Sequence, residues 1–353
     1  MIPLCVGLSF RTAPLWLREQ LTVVPGRLPE ELQRLSRLER VQEAVVLSTC
    51  NRVEWYLVAD EPAAAASALL QDLASAHALD PAALFAHLTI RPGDHAARQL
   101  FRVAAGLDSA ILGESEVVAQ VKQAYQFARA GGAAGPILNR LFQKALHCAK
   151  EARARTRIAE GQTSVGTVVV ALAQQQLGER LRIADVLLWG AGKAAEVTAH
   201  HLIKRGIGRL WIVNRTIAKA EELAARCRGA LLSWEQALGH LAHVDLAIVC
   251  THAPHYVIDA ADLAAVRPVR GPQPLCLIDL AMPRNIDPRL RRWPGVRLFD
   301  LEDVHRLAQR GRTLREGEVD RCAALVERQV EQFMRWWQQA RQRESTACPT
   351  VAG

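Results

Sequence analysis

The chain has 353 residues, of which 50% are hydrophobic and 23% are charged. This composition excludes a disordered chain, and the apolar runs are too short to span a membrane as a helix. Lys and Arg exceed Asp and Glu by eight, which favours an anionic partner, although a solvated basic surface would produce the same excess. The N-terminus lacks a secretory signal, so we expect a cytoplasmic protein, and the length predicts two domains.

Residues 1–157 carry both strand and helix signals. LCVGLSF near the start predicts a strand, and EAVVLSTCNRVEWYLVA at 43–59 predicts two strands joined by a polar corner at TCNR. From residue 94 onwards, apolar residues recur at helical spacing. The pattern predicts an α+β domain.

Residues 158–304 alternate apolar strand signals with helical segments. Runs such as DVLLW, DLAIVCT and PLCLIDL predict the strands, and the helices between them predict parallel pairing. We therefore expect a doubly wound α/β sheet of the Rossmann type. Residues 305–345 predict a long C-terminal helix.

A glycine-rich turn follows the first strand of the second domain and opens a helix, which is the context typical of a dinucleotide site. It comprises Gly190, Ala191, Gly192, Lys193, Ala194 and Ala195. The glycines permit a tight turn and a close approach to a pyrophosphate. The next strand ends in Asn214, Arg215 and Thr216, and an arginine there suits a 2′-phosphate, which predicts NADPH. A doubly wound domain without a nucleotide is the alternative interpretation.

Cys50 is the candidate nucleophile. It lies in the polar corner with Thr49, Asn51 and Arg52, and Glu54 follows. An adjacent guanidinium would lower the pKa of the thiol, and a polar corner would keep the sulfur accessible; a small buried hydrophobe is the alternative. None of the eight cysteines forms a CxxC pair or has metal-ligand spacing, so we expect thiols and no metal site. A thiol combined with a nicotinamide site predicts reduction of an acyl thioester to an aldehyde.

Five ordered segments resemble the glutamyl-tRNA reductase family. They are LSTCNRVEWY (47–56), GLDSAILGESEVVAQVKQAY (106–125), GAGKAAE (190–196), VNRT (213–216) and IDLAMPRNIDP (278–288). The resemblance covers about residues 1–340. It implies NADPH-dependent reduction of glutamyl-tRNA to glutamate-1-semialdehyde, the first step of tetrapyrrole biosynthesis through 5-aminolevulinate. The implied partners are charged tRNA and glutamate-1-semialdehyde aminomutase.

The resemblance also implies roles for individual residues. Cys50 would attack the glutamyl ester, and Arg52 would hold the side-chain carboxylate of the substrate through a bidentate pair. The other residues that it implies for the substrate pocket are Thr49, Asn51, Ser109, Glu114, Ser115, Glu116 and Gln120. For Ser109, Ser115, Glu116 and Gln120, helix caps or a solvated helix face are the alternative.

The chain departs from the family pattern at several positions. Ser9-Phe10-Arg11-Thr12 replaces an Asn-His-Lys-Thr block. Gln99 stands where the family has a histidine thought to assist catalysis, and glutamine cannot accept a proton near neutral pH. Glu116 replaces an amide and would repel an anionic glutamyl group if it faced the pocket.

The C-terminal part departs as well, since the sequence predicts no helical dimerisation domain of the kind that commonly follows the long helix in the family. We therefore expect a homodimer to be weaker than is usual in the family, and the apolar stripe containing Leu325, Phe333, Trp336 and Trp337 must fold back or pair with a second copy. These departures leave open a divergent paralogue that reduces another aminoacyl-tRNA or acyl thioester. A non-catalytic NADPH-binding regulator and a dehydrogenase of the shikimate type are further alternatives.

Overall fold

The chain forms two compact units in the computed structural model, which describes residues 1–114, 116–159, 164–270, 273–310 and 316–347. The first unit comprises Met1–Gly161 together with Arg312–Gly353, and the second comprises Gln162–Gly311. Both units mix helices with a β-sheet, which confirms the predicted α/β class. No helix in the described ranges is long and apolar enough to cross a membrane.

A four-stranded antiparallel sheet forms the centre of the first unit. Its strands are β1 (Ile2–Ser9), β2 (Val41–Ser48), β3 (Arg52–Ala59) and β4 (Thr89–Pro92), in the spatial order β2-β3-β1-β4. Every residue of β3 is buried, as expected where helices cover both faces of a sheet. The TCNR segment joins β2 to β3, which confirms the predicted pair of strands with a polar corner.

Helices cover this sheet. They are α1 (Leu15–Leu21), α2 (Leu28–Leu35), α3 (Pro62–His77), α4 (Pro81–Phe85), α5 (Asp94–Ala104), α6 (Glu116–Ala130) and α7 (Pro136–Arg155). In α5 the buried residues Ala96, Ala97, Leu100, Phe101 and Ala104 form one apolar face, and the helix contacts β1. This packing brings the residues that follow α5 close to the corner between β2 and β3.

The second unit contains a six-stranded parallel sheet with the spatial order β10-β9-β8-β5-β6-β7. Its elements are α8 (Val165–Leu177), β5 (Asp185–Trp189), α9 (Lys193–Arg205), β6 (Arg209–Val213), α10 (Ile217–Cys227), β7 (Ala230–Leu231), α11 (Trp234–His240), β8 (Leu246–Val249), α12 (Ala260–Arg270), β9 (Leu275–Asp279), β10 (Val296–Phe299) and α13 (Leu301–Arg310). Counted from β5, this is the strand order of the Rossmann fold, which confirms the prediction. The order reverses between β5 and β8, so a ligand site is expected at their carboxyl ends.

The last helix, α14 (Glu316–Ala347), belongs to the first unit. Its buried apolar residues are Cys322, Leu325, Val326, Val330, Phe333 and Trp337, and the helix packs on α5 and α7. The apolar stripe therefore folds back onto the core of its own unit. Residues 305–310 lie in α13 of the second unit.

Candidate active site

The corner between β2 and β3 presents Cys50 on a hydrogen-bonded loop. The Thr49 amide donates to the Arg52 carbonyl at 2.8 Å, and the Asn51 amide donates to the Thr49 hydroxyl at 3.1 Å. The buried side chain of Arg18, on α1, donates from Nη1 to the Cys50 carbonyl at 2.8 Å. These contacts hold the nucleophile candidate in one backbone conformation.

The charges around Cys50 differ from those expected. Burial, followed by the carboxylates of Glu114 and Glu116, raises the pKa of the partly buried thiol to about 12 against the opposing charge of Arg18. The expectation that Arg52 lowers the thiol pKa is wrong, because the Arg52 guanidinium is directed to two acidic side chains. Cys50 is therefore protonated near neutral pH, and its attack on an ester requires that the proton be removed as the bond forms.

Arg52 is 1% exposed and lies in a buried polar cluster. Its Nη1 donates to Oε1 of Glu54 at 2.7 Å and to Oδ2 of Asp108 at 3.0 Å, and its Nη2 donates to the Asp108 carbonyl. A guanidinium has five N–H donors. The Nε–H and the second Nη2–H have no partner among the residues that the structure describes. One edge of Arg52 is thus available to a carboxylate.

Several members of this cluster were not predicted from the sequence. Tyr56 donates to Oε2 of Glu54 at 2.6 Å, and strand alternation could have found this contact, because Arg52, Glu54 and Tyr56 share one face of β3. Asp108 lies on a separate segment within the GLDS motif, and Arg18 lies on α1. No sequence pattern connects either of them with the corner.

Glu114 is a second group beside Cys50, on the loop before α6. It is 7% exposed, and burial raises its pKa to about 7, with Glu116 adding to the rise and Ser109 and Arg52 opposing it. Arg153 donates to the Glu114 carbonyl at 2.9 Å. Glu114 therefore has a pKa near neutrality, and Arg153 holds its main chain.

The remaining predicted pocket residues lie in different environments. Asn51 and Ser109 are buried, and Oδ1 of Asn51 has no hydrogen-bond partner among the described residues. Glu116 and Gln120 are partly exposed, one turn apart on α6, and the Glu116 charge acts on Cys50. Ser115 lies outside the described residues. The charges of Glu114 and Glu116 thus act on the Cys50 thiol, and Ser109 lies beside Glu114.

In the second unit, the carboxyl ends of β5, β6 and β8 surround a cleft of about 260 Å³. It is lined by Gly190, Ala191, Gly192, Asn214, Arg215, Thr216, Lys219, Trp234, Cys250, Thr251, His252 and Ala253. Six of the predicted cofactor residues therefore meet at the switch point of the sheet. Lys193, Ala194 and Ala195 do not line the cleft: Lys193 pairs with Glu196 at 3.1 Å, and Ala195 is buried.

The cleft fits the pyrophosphate of a dinucleotide. Gly190 has a φ of +114°, and a Cβ there would lie 2.5 Å from the Cys250 carbonyl oxygen, so the turn requires glycine. A Cβ on Gly192 would meet open space. Helix α9 begins at the next residue, and its unpaired N–H groups are suited to bind phosphate oxygens.

The IDLAMPRNIDP segment supports one wall of this cleft. Asp279 accepts hydrogen bonds from the amides of Ala281, Asn285 and Ile286, at 3.0, 2.8 and 2.8 Å. The Asn285 amide group in turn donates to the Ala253 carbonyl at 2.9 Å. The segment thus anchors the loop after β8. Asp279 and Asn285 therefore have a structural role in this unit.

Comparison with known proteins relates both units to one enzyme family. Residues 6–156 match the family described as glutamyl-tRNAGlu reductase, N-terminal domain, and residues 171–307 match the family described as shikimate / quinate 5-dehydrogenase. The glutamyl-tRNA reductase of Synechococcus sp. (strain JA-3-3Ab) is 38% identical over 98% of this chain and 79% of its own length. The chain belongs to the glutamyl-tRNA reductase family.

Two further comparisons agree with membership of the glutamyl-tRNA reductase family. The relative from Magnetococcus marinus is 37% identical over 94% of this chain and 78% of its own length. The solved structure of glutamyl-tRNA reductase from Methanopyrus kandleri is 29% identical, with a TM-score of 0.53, and covers 98% of this chain and 82% of that chain. The resemblance in the five sequence segments is thereby confirmed, and the chain is an oxidoreductase with a dinucleotide-binding domain.

Proposed function

We propose that this chain uses NADPH to reduce the glutamyl group of glutamyl-tRNA to glutamate-1-semialdehyde, through a thioester on Cys50. The observation that carries the proposal is the corner between β2 and β3, where hydrogen bonds hold the backbone of Cys50 two residues from an arginine with one available edge. Membership of the glutamyl-tRNA reductase family supports the substrate. The dinucleotide cleft of the second unit supports the redox step.

The first step forms the Cys50 thioester. The sulfur attacks the ester carbonyl carbon, an S–C bond forms, and the C–O bond to the tRNA ribose breaks. Glu114 accepts the thiol proton, because it is the carboxyl group whose charge acts most strongly on Cys50 and it is partly ionised near neutral pH. That proton then passes to the leaving ribose hydroxyl.

The second step releases the aldehyde. When bound, NADPH supplies the hydride that reduces the thioester carbonyl. The C–S bond then breaks and Cys50 leaves as a thiolate, which takes up a proton because its pKa is raised. The aldehyde product is reactive, and we propose glutamate-1-semialdehyde aminomutase as the partner that consumes it.

The pocket offers contacts for each polar group of a glutamyl residue. The available edge of Arg52 matches the side-chain carboxylate in bidentate geometry. We propose that Oδ1 of Asn51, which lacks a partner among the described residues, accepts a hydrogen bond from the α-ammonium group. The carboxylates of Glu114 and Glu116 favour the same ammonium charge. Thr49, Ser109 and Gln120 remain predicted pocket residues.

The cofactor cleft favours NADPH over NADH. Arg215 and Lys219 are both exposed and both line the cleft beyond β6. Arg215 has no acidic partner among the described residues, so its guanidinium is available to the 2′-phosphate of the adenosine ribose.

A second candidate is a paralogue that reduces another aminoacyl-tRNA or acyl thioester. The specific observation in its favour is Glu116, whose carboxylate adds negative charge beside Cys50 and opposes an anionic acyl group. The two candidates share the thioester and the aldehyde. They differ in the acyl side chain that Arg52 and Glu116 accept.

Trapping the thioester tests the proposal. The enzyme incubated with labelled glutamyl-tRNA in the absence of NADPH should retain glutamate through a hydroxylamine-labile bond, and NADPH should then release it as an aldehyde. Cys50→Ser should abolish both signals, whereas the control Cys227→Ser, in the second unit, should keep them. An adduct formed only with other aminoacyl-tRNAs favours the paralogue. Normal reduction by Cys50→Ser would exclude the thioester mechanism.

A further inference from the structure

Gln99, on α5, closes a ring of hydrogen bonds around the buried charges next to Cys50. It is 7% exposed. Its Nε2 donates to Oε1 of Glu54 at 2.8 Å and to Oδ2 of Asp108 at 3.0 Å. Nη1 of Arg52 donates to the same two oxygen atoms, at 2.7 and 3.0 Å. Two nitrogen donors therefore hold the same two acceptors from different sides.

We infer that Gln99 is a positioning residue: it holds Glu54 and Asp108 against Arg52 and so orients the available edge of Arg52 toward the acyl side chain of the substrate. The inference rests on the proposed function, because it concerns the group that Arg52 binds. Gln99 acts through Arg52 and does not itself contact the reacting atoms.

The charges of the cluster explain why a second donor is needed. Two carboxylates share one guanidinium at hydrogen-bonding distance, and like charges this close repel each other. The amide of Gln99 supplies two more N–H groups without adding a charge. Burial alone would raise the pKa of Asp108, but the Arg52 charge and the hydrogen bonds from Gln99 and Arg52 hold it below its usual range.

The surrounding groups confine the two carboxylates on their other sides. Arg11 donates from Nε to Oδ1 of Asp108 at 3.1 Å, and Tyr56 donates to Oε2 of Glu54 at 2.6 Å. Gly7 on β1 lies opposite Glu54, where a Cβ would come within 2.8 Å of the Glu54 Cγ. Cys5 lies next to this cluster, and burial raises the pKa of its thiol, so it stays neutral. Removal of Gln99 would therefore take away a donor that bridges Oε1 of Glu54 and Oδ2 of Asp108, while the contacts to their other oxygen atoms stay.

An amide differs from an imidazole in a way that can be measured. The NH₂ group carries two donors on one atom and does not titrate, whereas each imidazole nitrogen carries at most one hydrogen. A histidine at position 99 could serve both carboxylates only when it is protonated. The two hydrogen bonds that Gln99 donates therefore do not depend on a proton that this side chain gains or loses.

Comparing kcat/KM for two aminoacyl-tRNAs distinguishes a role of Gln99 in positioning Arg52 from a general role in stabilising the fold. Gln99→Met keeps the volume of the side chain but removes both donors. We expect it to lower kcat/KM for glutamyl-tRNA at least tenfold. The loss for glutaminyl-tRNA should be much smaller, because its side chain is neutral and its binding does not depend on the orientation of Arg52. The matched control Gln123→Met, at an exposed position of α6, should behave as the wild type.

Gln99→His provides a second test. We expect its activity relative to the wild type to rise as the pH falls from 8 to 6, because the protonated ring donates from both nitrogens. The titration of Glu114 is common to both proteins and cancels in this ratio. Equal losses for both aminoacyl-tRNAs in Gln99→Met, or a ratio for Gln99→His that does not change with pH, would overturn the positioning role. If the wild type itself forms no Cys50 adduct, the proposed function fails instead.

Discussion

Arg18 donates from Nη1 to the main-chain carbonyl oxygen of Cys50 across 2.8 Å. Its Nε also donates to the Ala13 carbonyl at 3.3 Å, so one buried side chain ties the start of α1 to the nucleophile corner. Arg18 is also the cation that lowers the pKa of the thiol against burial and the two nearby carboxylates. Arg18, rather than the neighbouring Arg52, is therefore the cation that acts on Cys50.

Arg18→Met is expected to slow alkylation of Cys50 by iodoacetamide at pH 9 several-fold. Loss of the cation raises the thiol pKa further and leaves a smaller fraction of thiolate. The Cys50 carbonyl also loses a donor, which should destabilise the protein by about 1–3 kcal/mol. Mass spectrometry of the Cys50 peptide and urea unfolding measure the two effects, with the exposed Arg37→Met as the control. Unchanged alkylation would show that Arg18 has only a structural role.

Glu114 makes the stability of the protein depend on pH. Burial and Glu116 raise the pKa of its carboxyl from 4.5 to about 7, so the folded protein binds this proton more tightly than the unfolded chain. The contribution of Glu114 is therefore fully present below pH 4.5 and is lost as the pH rises through 7. It amounts to roughly 3 kcal/mol at most.

Glu114→Gln should accordingly weaken the dependence of the free energy of unfolding on pH between pH 5 and pH 8. Between pH 5 and pH 8, the free energy of urea unfolding should fall by less in the variant than in the wild type, and the variant should be the more stable protein at pH 8. Because other groups also titrate in this range, the quantity to compare is the difference between the two proteins at each pH. Parallel profiles would contradict the raised pKa of Glu114.

Arg215 is expected to determine the choice of cofactor. NADPH should bind at least tenfold more tightly than NADH, a difference of about 1.4 kcal/mol that one charge-assisted contact can supply. Arg215→Ala should reduce the affinity for NADPH and leave that for NADH within twofold. Arg182→Ala, an exposed arginine before β5, is the control, and fluorescence titration of both nucleotides provides the measurement. Equal affinities in the wild type would contradict the assignment.

The sequence by itself determined the elements that depend on local pattern. The β-rich runs on both sides of TCNR predict the strands β2 and β3, because alternating and β-branched residues suit a buried sheet. The glycine turn after VLLW predicts the start of α9, since only glycine adopts the φ of Gly190 without strain. The alternation of strands and helices then leaves the Rossmann strand order as the expected arrangement.

Only the tertiary structure decided which charges meet at the site. Arg52 lies two residues after Cys50, yet its donors serve Glu54 and Asp108, and the cation that acts on Cys50 is Arg18, 32 residues away. Gln99 reaches Glu54 across 45 residues. The effect of a charge depends on the distance in space and on burial, and both depend on how α1 and α5 pack on the sheet. Sequence proximity therefore identified the nucleophile candidate but not the groups that set its pKa.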